Sequence, residues 1–435
     1  MITSSEYRDR RIRVISDLGE GALILPSNPE STMSNDVDYK YRQHSDLLYL
    51  SGYPEPGTTA VIEKSGEEIV FHLFVLPRDP LYETWNGRRY GVEGAKQHFN
   101  ADFSHINTEL NDLLPKILKK HETVFYPQGE NADTDEIVNQ SIRKARKMTD
   151  KTGKGPYRVV NPHPTIHKYR ATKSEAEIQL LRKSIRISAD AHTRAMKVTK
   201  PGISEYQIEA IINYEFRKSG ALRPAYETIV AGGINGTILH YTENKNDLEK
   251  GELILVDAGA EYANYSADIT RTWPVGGKYS KEQKNIYSLV LDVQKRCIEK
   301  VRPGENLKDL NDLAVKLITK GLIDLGLLQG DLETLIKEDK HRRFFMHKVG
   351  HWLGIDVHDV SDIDRGEKFK PGFCFTIEPG IYIPDEEDVP KTYRGIAVRI
   401  EDDILVTETG YEVLSIGVVK EIEDIEAIVG IENLP

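Results

Sequence analysis

Four carboxylates in this chain stand where apolar, strand-like runs end. Asp257 closes the run in Leu253-Ile-Leu-Val-Asp257-Ala-Gly259, and Glu378 closes the one in Phe373-Cys-Phe-Thr-Ile-Glu378-Pro-Gly380. A further acid follows each, Asp268 eleven residues after the first and Glu401 23 residues after the second. A carboxylate beside so apolar a run is partly buried, and a buried charge must be paired or bound to a metal. For any one such residue, a strand end that reaches solvent is the ordinary explanation. Four in matched positions outweigh it. Three histidines stand close together at His347, His351 and His358, among glycine, aromatic and aliphatic neighbours that favour a loop or strand over a helix. A single histidine there would ordinarily be a hydrogen-bonded packing residue; a cluster of three is harder to set aside. Oxygen donors with an imidazole suit Mn²⁺, Fe²⁺, Co²⁺ or Zn²⁺, and two ions can share bridging carboxylates.

The elements that must position these groups read as a loose internal repeat. One copy has a helix, the break Lys200-Pro-Gly202, and a helix opened by Ser204 and Gln207 with Ile208, Ile211, Ile212 and Phe216 on one face. The other has a helix opened by Ser280 and Gln283 (Ile286, Val290, Val293 and Cys297 on one face), the break Arg302-Pro-Gly304, and a helix carrying Leu307, Leu310, Leu313 and Leu317. Serine with Glu or Gln three residues on is a capping box. Each helix pair is followed by one of the apolar strands and then by its second acid on a later strand. The separation of Asp257 and Asp268 suits two arms of a hairpin or meander, while Glu378 and Glu401 need a longer return. Two helix–helix–strand–strand halves, each delivering two carboxylates, predict an α+β domain with pseudo-twofold symmetry and acids converging at its axis.

Ahead of this lies a capping box at Ser174 and Glu177, starting a helix with Ile178, Leu181, Ile185, Ala189 and Met196 on one face; His192 shares that face and is read as a packing residue. Further upstream, Gly21–Pro26, Thr58–Glu63, Glu68–Leu76 and Glu122–Tyr126 are β-rich and Glu109–Lys120 is helical, which predicts an α/β domain with a mixed sheet and helices. Asp150–Pro156 reads as a polar Gly-rich loop and Asn161-Pro-His-Pro164 as a breaker cluster. The expected domains are residues 1–168 and 169–435.

The 435 residues carry 58 Lys+Arg against 69 Asp+Glu, a net charge of −11 that argues against a nucleic-acid surface. With 39% hydrophobic and 29% charged residues, the chain is expected to be soluble and globular, not disordered or fibrous. Two cysteines, Cys297 and Cys374, make no disulfide framework; Cys374, between two phenylalanines, is expected to be a buried, inert thiol. The N-terminus lacks the apolar stretch of a signal peptide and no window approaches a membrane span, so the default compartment is a reducing cytoplasm.

At the chemistry-bearing residues the sequence resembles the pita-bread metallopeptidases, and within them the aminopeptidase P (Xaa-Pro aminopeptidase) group. The resemblance runs from Tyr41-Arg-Gln-His-Ser-Asp46 to Arg399-Ile-Glu401-Asp-Asp. Six motifs carry it in the catalytic part: Ile238-Leu-His240-Tyr-Thr-Glu-Asn244, Val256-Asp-Ala-Gly259, Ser266-Ala-Asp268-Ile-Thr-Arg-Thr-Trp273, the His347–Asp359 run, Thr376-Ile-Glu-Pro-Gly380 and Val398-Arg-Ile-Glu401. It implies a site for two divalent ions, Mn²⁺ first with Co²⁺ or Zn²⁺ as alternatives. Asp257, Asp268, His351, Glu378 and Glu401 would be the ligands, with Asp268 and Glu401 shared between the ions. A hydroxide from a water acidified by the metals would be the nucleophile, and Glu378 its proton shuttle.

The resemblance also implies that His240 and His358 contact the substrate carbonyl or amide and stabilise the oxyanion. His347 would line the pocket on the proline side, and Arg399 would orient a carboxylate. Tyr226 and Tyr382 would stand behind the ligands or line the pocket. Asp46, with Arg170, would meet the substrate's free amine, and Trp85 matches a tryptophan that reaches the active site of a neighbouring subunit in a homo-oligomer, dimer or tetramer. The substrates would be peptides with proline at position 2. Prolidase, which cleaves Xaa-Pro dipeptides with the same fold and metals, is the alternative. Creatine amidinohydrolase shares the fold without these ligands, and methionine aminopeptidase is usually without so large an N-terminal domain.

Overall fold

A two-residue turn, Gly66-Glu67, joins the strands Thr59–Ser65 and Glu68–Val75, and Gly66 takes φ +57°, a left-handed conformation open to glycine. This hairpin starts the sheet of the first of two compact units, Ile2–Arg170 and Ala171 onward, in a computed structural model that describes residues 1–149 and 155–434. Six strands lie in the order Phe103–Ile106, Glu68–Val75, Thr59–Ser65, Gly21–Pro26, Thr123–Phe125 and Arg158–Val160. The central pairs are antiparallel and the outer ones parallel, the mixed sheet expected. Ala22, Ile24, Val61 and Phe74 pack on Leu114, Leu118, Val138 and Ile142 from the helices Leu110–Leu118 and Ala132–Met148. Of the Gly-rich loop expected at 150–156, residues 150–154 lie outside the described residues.

The Asn161–Pro164 cluster, expected to break the chain, instead opens the helix His163–Ala171. A proline in the first turn loses no intrahelical bond, because its missing N–H would have had no partner there. Asn161 Oδ1 accepts the His163 N–H at 3.0 Å.

In the second unit the repeat is real. The helices Glu175–Val198 and Glu205–Lys218 precede a sheet ordered Ile229–Gly232, Leu253–Asp257, Thr270–Pro274; Lys281–Glu299 and Leu307–Asp324 precede Cys374–Ile377, Asp402–Val406, Tyr411–Val413. Ser174–Glu177 and Ser280–Gln283 form complete capping boxes. At Ser204 the Gln207 side chain still accepts the Ser204 N–H, but the serine hydroxyl turns to Asp247. The buried stripe of Leu307–Asp324 runs Leu307, Leu310, Ala314, Ile318 and Leu322, so Leu313 and Leu317 lie at its edge; a 3.6-residue period moves the core face on by one position. Asp257 pairs with Thr270, and Ile377 with Asp402, so each half sets its acids near the same end of an antiparallel pair. Asp268 and Glu401 lie just outside the strands on which they were expected. The Asp268 N–H is taken by Asp403 Oδ2 at 3.2 Å, and the Glu401 N–H by Thr270 O at 3.1 Å. Thr272 bonds both the N–H and the carbonyl of Arg399 through its hydroxyl. These last two contacts tie the halves together.

Behind this seam Arg271 and Asp402 form an ion pair at 2.7 Å with both side chains fully buried. Gln294, Ser415 and Lys420 complete the carboxylate's bonds, and Arg271 also donates to the carbonyls of Thr270 and Glu401. Removing one partner of a buried pair strands the other. Asp402→Ala is expected to destabilise the unit by about 3–5 kcal/mol, read as a lowered urea midpoint; an unchanged midpoint would show that the pair is dispensable.

Candidate active site

Two glycines let the backbone bring the site together. A Cβ on Gly259 would lie 1.7 Å from Ala267 O, and one on Gly350 would lie 1.9 Å from Thr376 O. Only glycine permits those approaches, which set Asp257 beside Asp268 and His351 beside Glu378. The Tyr226 hydroxyl lies 2.5 Å from Asp257 Oδ1 and 2.6 Å from Asp268 Oδ1, so one phenolic hydrogen serves two carboxylates. Arg399 Nη2 donates to Asp257 Oδ2 at 2.6 Å. His351 Nε2 is 3.3 Å from Asp268 Oδ2 and 3.7 Å from Glu378 Oε1, while its Nδ1 faces the Trp352 carbonyl at 3.1 Å. Donor atoms of Asp268, His351 and Glu401 all lie within 4.8 Å of one another.

A second layer orients the first. Thr270 Oγ1 donates to Glu401 Oε2 at 2.7 Å and accepts from Arg399 Nε at 3.1 Å. Arg399 Nη1 donates to the Tyr382 hydroxyl, which lies 2.8 Å from His347 Nε2. With His347 Nδ1 against the Lys348 carbonyl, the pattern sets Nδ1 as the donor and Nε2 as the acceptor. His358 meets the His351 ring edge-on, with centroids 4.3 Å apart. His240 is exposed, and its charge weighs on both His347 and His358. The structure therefore assembles Tyr226, His240, Asp257, Asp268, His347, His351, His358, Glu378, Tyr382, Arg399 and Glu401 at one place. Asp46, Arg170 and Trp85 belong to the other unit. There Arg170 Nη1 pairs with a buried Asp46 Oδ1 at 2.7 Å, and Trp85 is 81% exposed on the helix Pro80–Asn86.

The profile of Metallopeptidase family M24 matches residues 179–408, and that of the aminopeptidase P N-terminal domain matches 7–126. The chain belongs to metallopeptidase family M24. It is 42% identical to the Xaa-Pro aminopeptidase of Escherichia coli over 98% of both chains, and 43% identical to that of Haemophilus influenzae over 98% and 97%. Among solved structures, a variant of Escherichia coli aminopeptidase P in complex with substrate superposes with a TM-score of 0.95 at 42% identity, covering 98% of each chain. Proline aminopeptidase P II from Yersinia pestis gives 0.95 at 44% identity, covering 98% of this chain and 99% of that one.

The charges of the M24 unit fit divalent cations. Burial raises the Glu401 carboxyl well above the carboxylate range, and Asp268, Glu378 and Asp257 push it further. Burial likewise raises Glu378, to about 7, with Asp268 and Asp257 adding to the shift against the pull of His351 and Arg399. Asp257 is raised by burial despite Arg399. A cluster whose protein cations do not neutralise it, built from buried oxygens and one imidazole, suits hard or borderline divalent ions. Thr270, Thr272, Arg271 and Asp403 adjoin the ligands in sequence but carry no spacing signature of their own, because their hydroxyls and charges act through the ligands and their neighbours.

Burial opposes protonation of His351, but its contact with Asp268 and the charge of Glu378 outweigh it and raise the imidazole to about 9. In metal-free protein the ring should stay cationic through neutral pH and lose its proton near 9. Asp268→Asn should bring that titration down by at least one unit, measured by NMR of the imidazole; no movement would show that Asp268 does not set it.

Proposed function

We infer that this chain is a Xaa-Pro aminopeptidase that uses two divalent metal ions, Mn²⁺ foremost, to release the N-terminal residue of peptides whose second residue is proline. The carrying observation is the donor set Asp257, Asp268, His351, Glu378 and Glu401, complete in a chain similar to Xaa-Pro aminopeptidases along 98% of its length. These five residues would hold the ions, with Asp268 and Glu401 shared. Bound there, the ions supply Lewis acidity and a water of lowered pKa.

The chain's own groups do the rest. Glu378, a buried carboxyl beside Asp268 and Asp257, would take the water's proton and pass it to the leaving nitrogen. His240 and His358, both exposed at the site, would donate to the developing oxyanion. Arg399 fixes Asp257 and, with Tyr382, the ring of His347, which would line the pocket for proline. Tyr226 orients Asp257 and Asp268. An oligomer in which Trp85 meets a neighbouring copy, and a cytoplasmic setting consistent with the free, buried thiols of Cys297 and Cys374, complete the reading.

Proline is required for a physical reason. An Xaa-Pro bond is a tertiary amide without an N–H, and its ring holds φ near roughly −65°. A pocket shaped to it orders a residue that is already rigid. A secondary amide would bring in an N–H, and leaving that unpaired costs about 1–3 kcal/mol. kcat/KM for Xaa-Pro-Yaa is therefore expected to exceed that for the matched Xaa-Ala-Yaa by roughly tenfold or more. Equal values would indicate a general aminopeptidase, and preference for an Xaa-Pro dipeptide over the tripeptide would indicate prolidase.

Exhaustive chelation should abolish activity, with recovery on adding Mn²⁺ or Co²⁺, and Asp268→Ala or Glu401→Ala should lose dinuclear binding by elemental analysis. His240→Ala and His358→Ala should keep their metals yet lose roughly two orders of magnitude in kcat/KM. Loss of metal from both would make these histidines ligands.

A further inference from the structure

The Ile2–Arg170 unit contains a second cluster of ligating side chains, Asp46, His163 and His167, outside the M24 ligand set. His163 and His167 are four residues apart on the helix His163–Ala171, and Arg170 follows at i+7, so all three share one helix face. That face meets Asp46 in the first turn of the helix Ser45–Ser51. Asp46 Oδ2 lies 3.6 Å from His163 Nδ1 and 3.7 Å from His167 Nε2. All three donors fall within 4.8 Å of one another.

We propose that Asp46, His163 and His167 form a binding site for one divalent first-row cation of the Zn²⁺ type, separate from the M24 ligand cluster. Two imidazole nitrogens at i and i+4 on a helix with one carboxylate are a recurrent donor set for such ions, a water supplying the fourth position. Ligands about 2.0–2.2 Å from a tetrahedral ion stand about 3.3–3.6 Å from one another. The observed spacings of 3.6 and 3.7 Å are close to that range and long for direct hydrogen bonds.

The decisive atom is Asp46 Oδ2. The Asp46 side chain is 1% exposed, and Oδ2 has no hydrogen-bond partner among the described residues. An acceptor on a carboxylate is costly to leave unmet in the interior. The other oxygen, Oδ1, accepts from Arg170 Nη1 at 2.7 Å, which turns Oδ2 toward the two imidazoles. His163 Nε2, on the side of the ring away from Oδ2, lies 3.2 Å from Glu130 Oε1 without the alignment of a hydrogen bond, so a small turn of either side chain would let that carboxylate back the imidazole. His44 Nε2 stands 3.8 Å from Glu130 Oε2. Filled, the site would fasten the His163–Ala171 helix to Ser45–Ser51. This assignment gives Asp46 a different duty from meeting the substrate amine, and the two make opposite predictions.

The test uses the full chain. In a background of Asp268→Ala, His351→Ala and Glu401→Ala, which disables the M24 cluster, Zn²⁺ binding is measured by equilibrium dialysis and elemental analysis after chelation. Adding His163→Ala, or separately the near-isosteric Asp46→Asn, should remove one Zn²⁺ per chain or weaken its binding at least a hundredfold. Zn²⁺ should raise the melting temperature of the background protein and not of the two variants, with circular dichroism confirming that all fold. If His163→Ala fails to fold, Asp46→Asn and the background protein still decide. No Zn²⁺ bound by the background protein, or the same stoichiometry and affinity in the variants, would overturn the proposal. So would Asp46→Asn in the otherwise native chain if it raised KM for a peptide with its metal content unchanged; that result would return Asp46 to the substrate amine.

Discussion

Asp257, Asp268, Glu378 and Glu401 are withdrawn from water within reach of one another, and like charges so placed cannot all ionise without compensation. Much of the M24 unit can be understood as the answer to that constraint. Arg399 is aimed at Asp257, His351 lies beside Asp268 and Glu378, and a single tyrosine hydrogen is spread over two acids. The remaining imbalance is what divalent cations correct, so the same repulsion that weakens the metal-free fold becomes affinity for the metal. Metal binding and proton release are then linked, because a cation entering the cluster replaces the proton on His351 and those the raised carboxyls retain.

The scaffold bears the electrostatic load through polar contacts that never touch a substrate. Thr270 holds Glu401 with its hydroxyl and Arg399 with its oxygen, so one short side chain sets the spacing of a ligand and its counter-charge. Arg271, paired with Asp402, anchors the carbonyls on both sides of the seam between the halves. Such buried pairs add little net stability against an apolar alternative, yet breaking one is severe. Their contribution here is to fix where Glu401 stands.

The two units spend their histidines differently. In the M24 unit the imidazoles are kept apart by different partners: Asp268 raises His351, while burial and Arg399 lower His347 to about 4. In the Ile2–Arg170 unit His163 and His167 instead converge on one carboxylate oxygen, which is why they look like ligands and not like acids or bases.

What the sequence determined by itself was the local and periodic part. Capping boxes, apolar stripes and strand-ending acids depend on neighbours within a few residues, and they placed the helix pairs, the repeat and the four carboxylates. Its motifs also carried the family, because a donor set imposes residue types in order along the chain. Tertiary structure alone decided what lies across long separations. That Arg399 would reach Asp257, that Thr270 would join Arg399 to Glu401, and that Asp268 and Glu401 would leave their strands depends on packing between segments more than a hundred residues apart, for which no local spacing exists. The helix at His163 was hidden for a related reason. Its prolines signal a break in isolation, and only the completed first turn shows that they open a helix whose face turns toward Asp46.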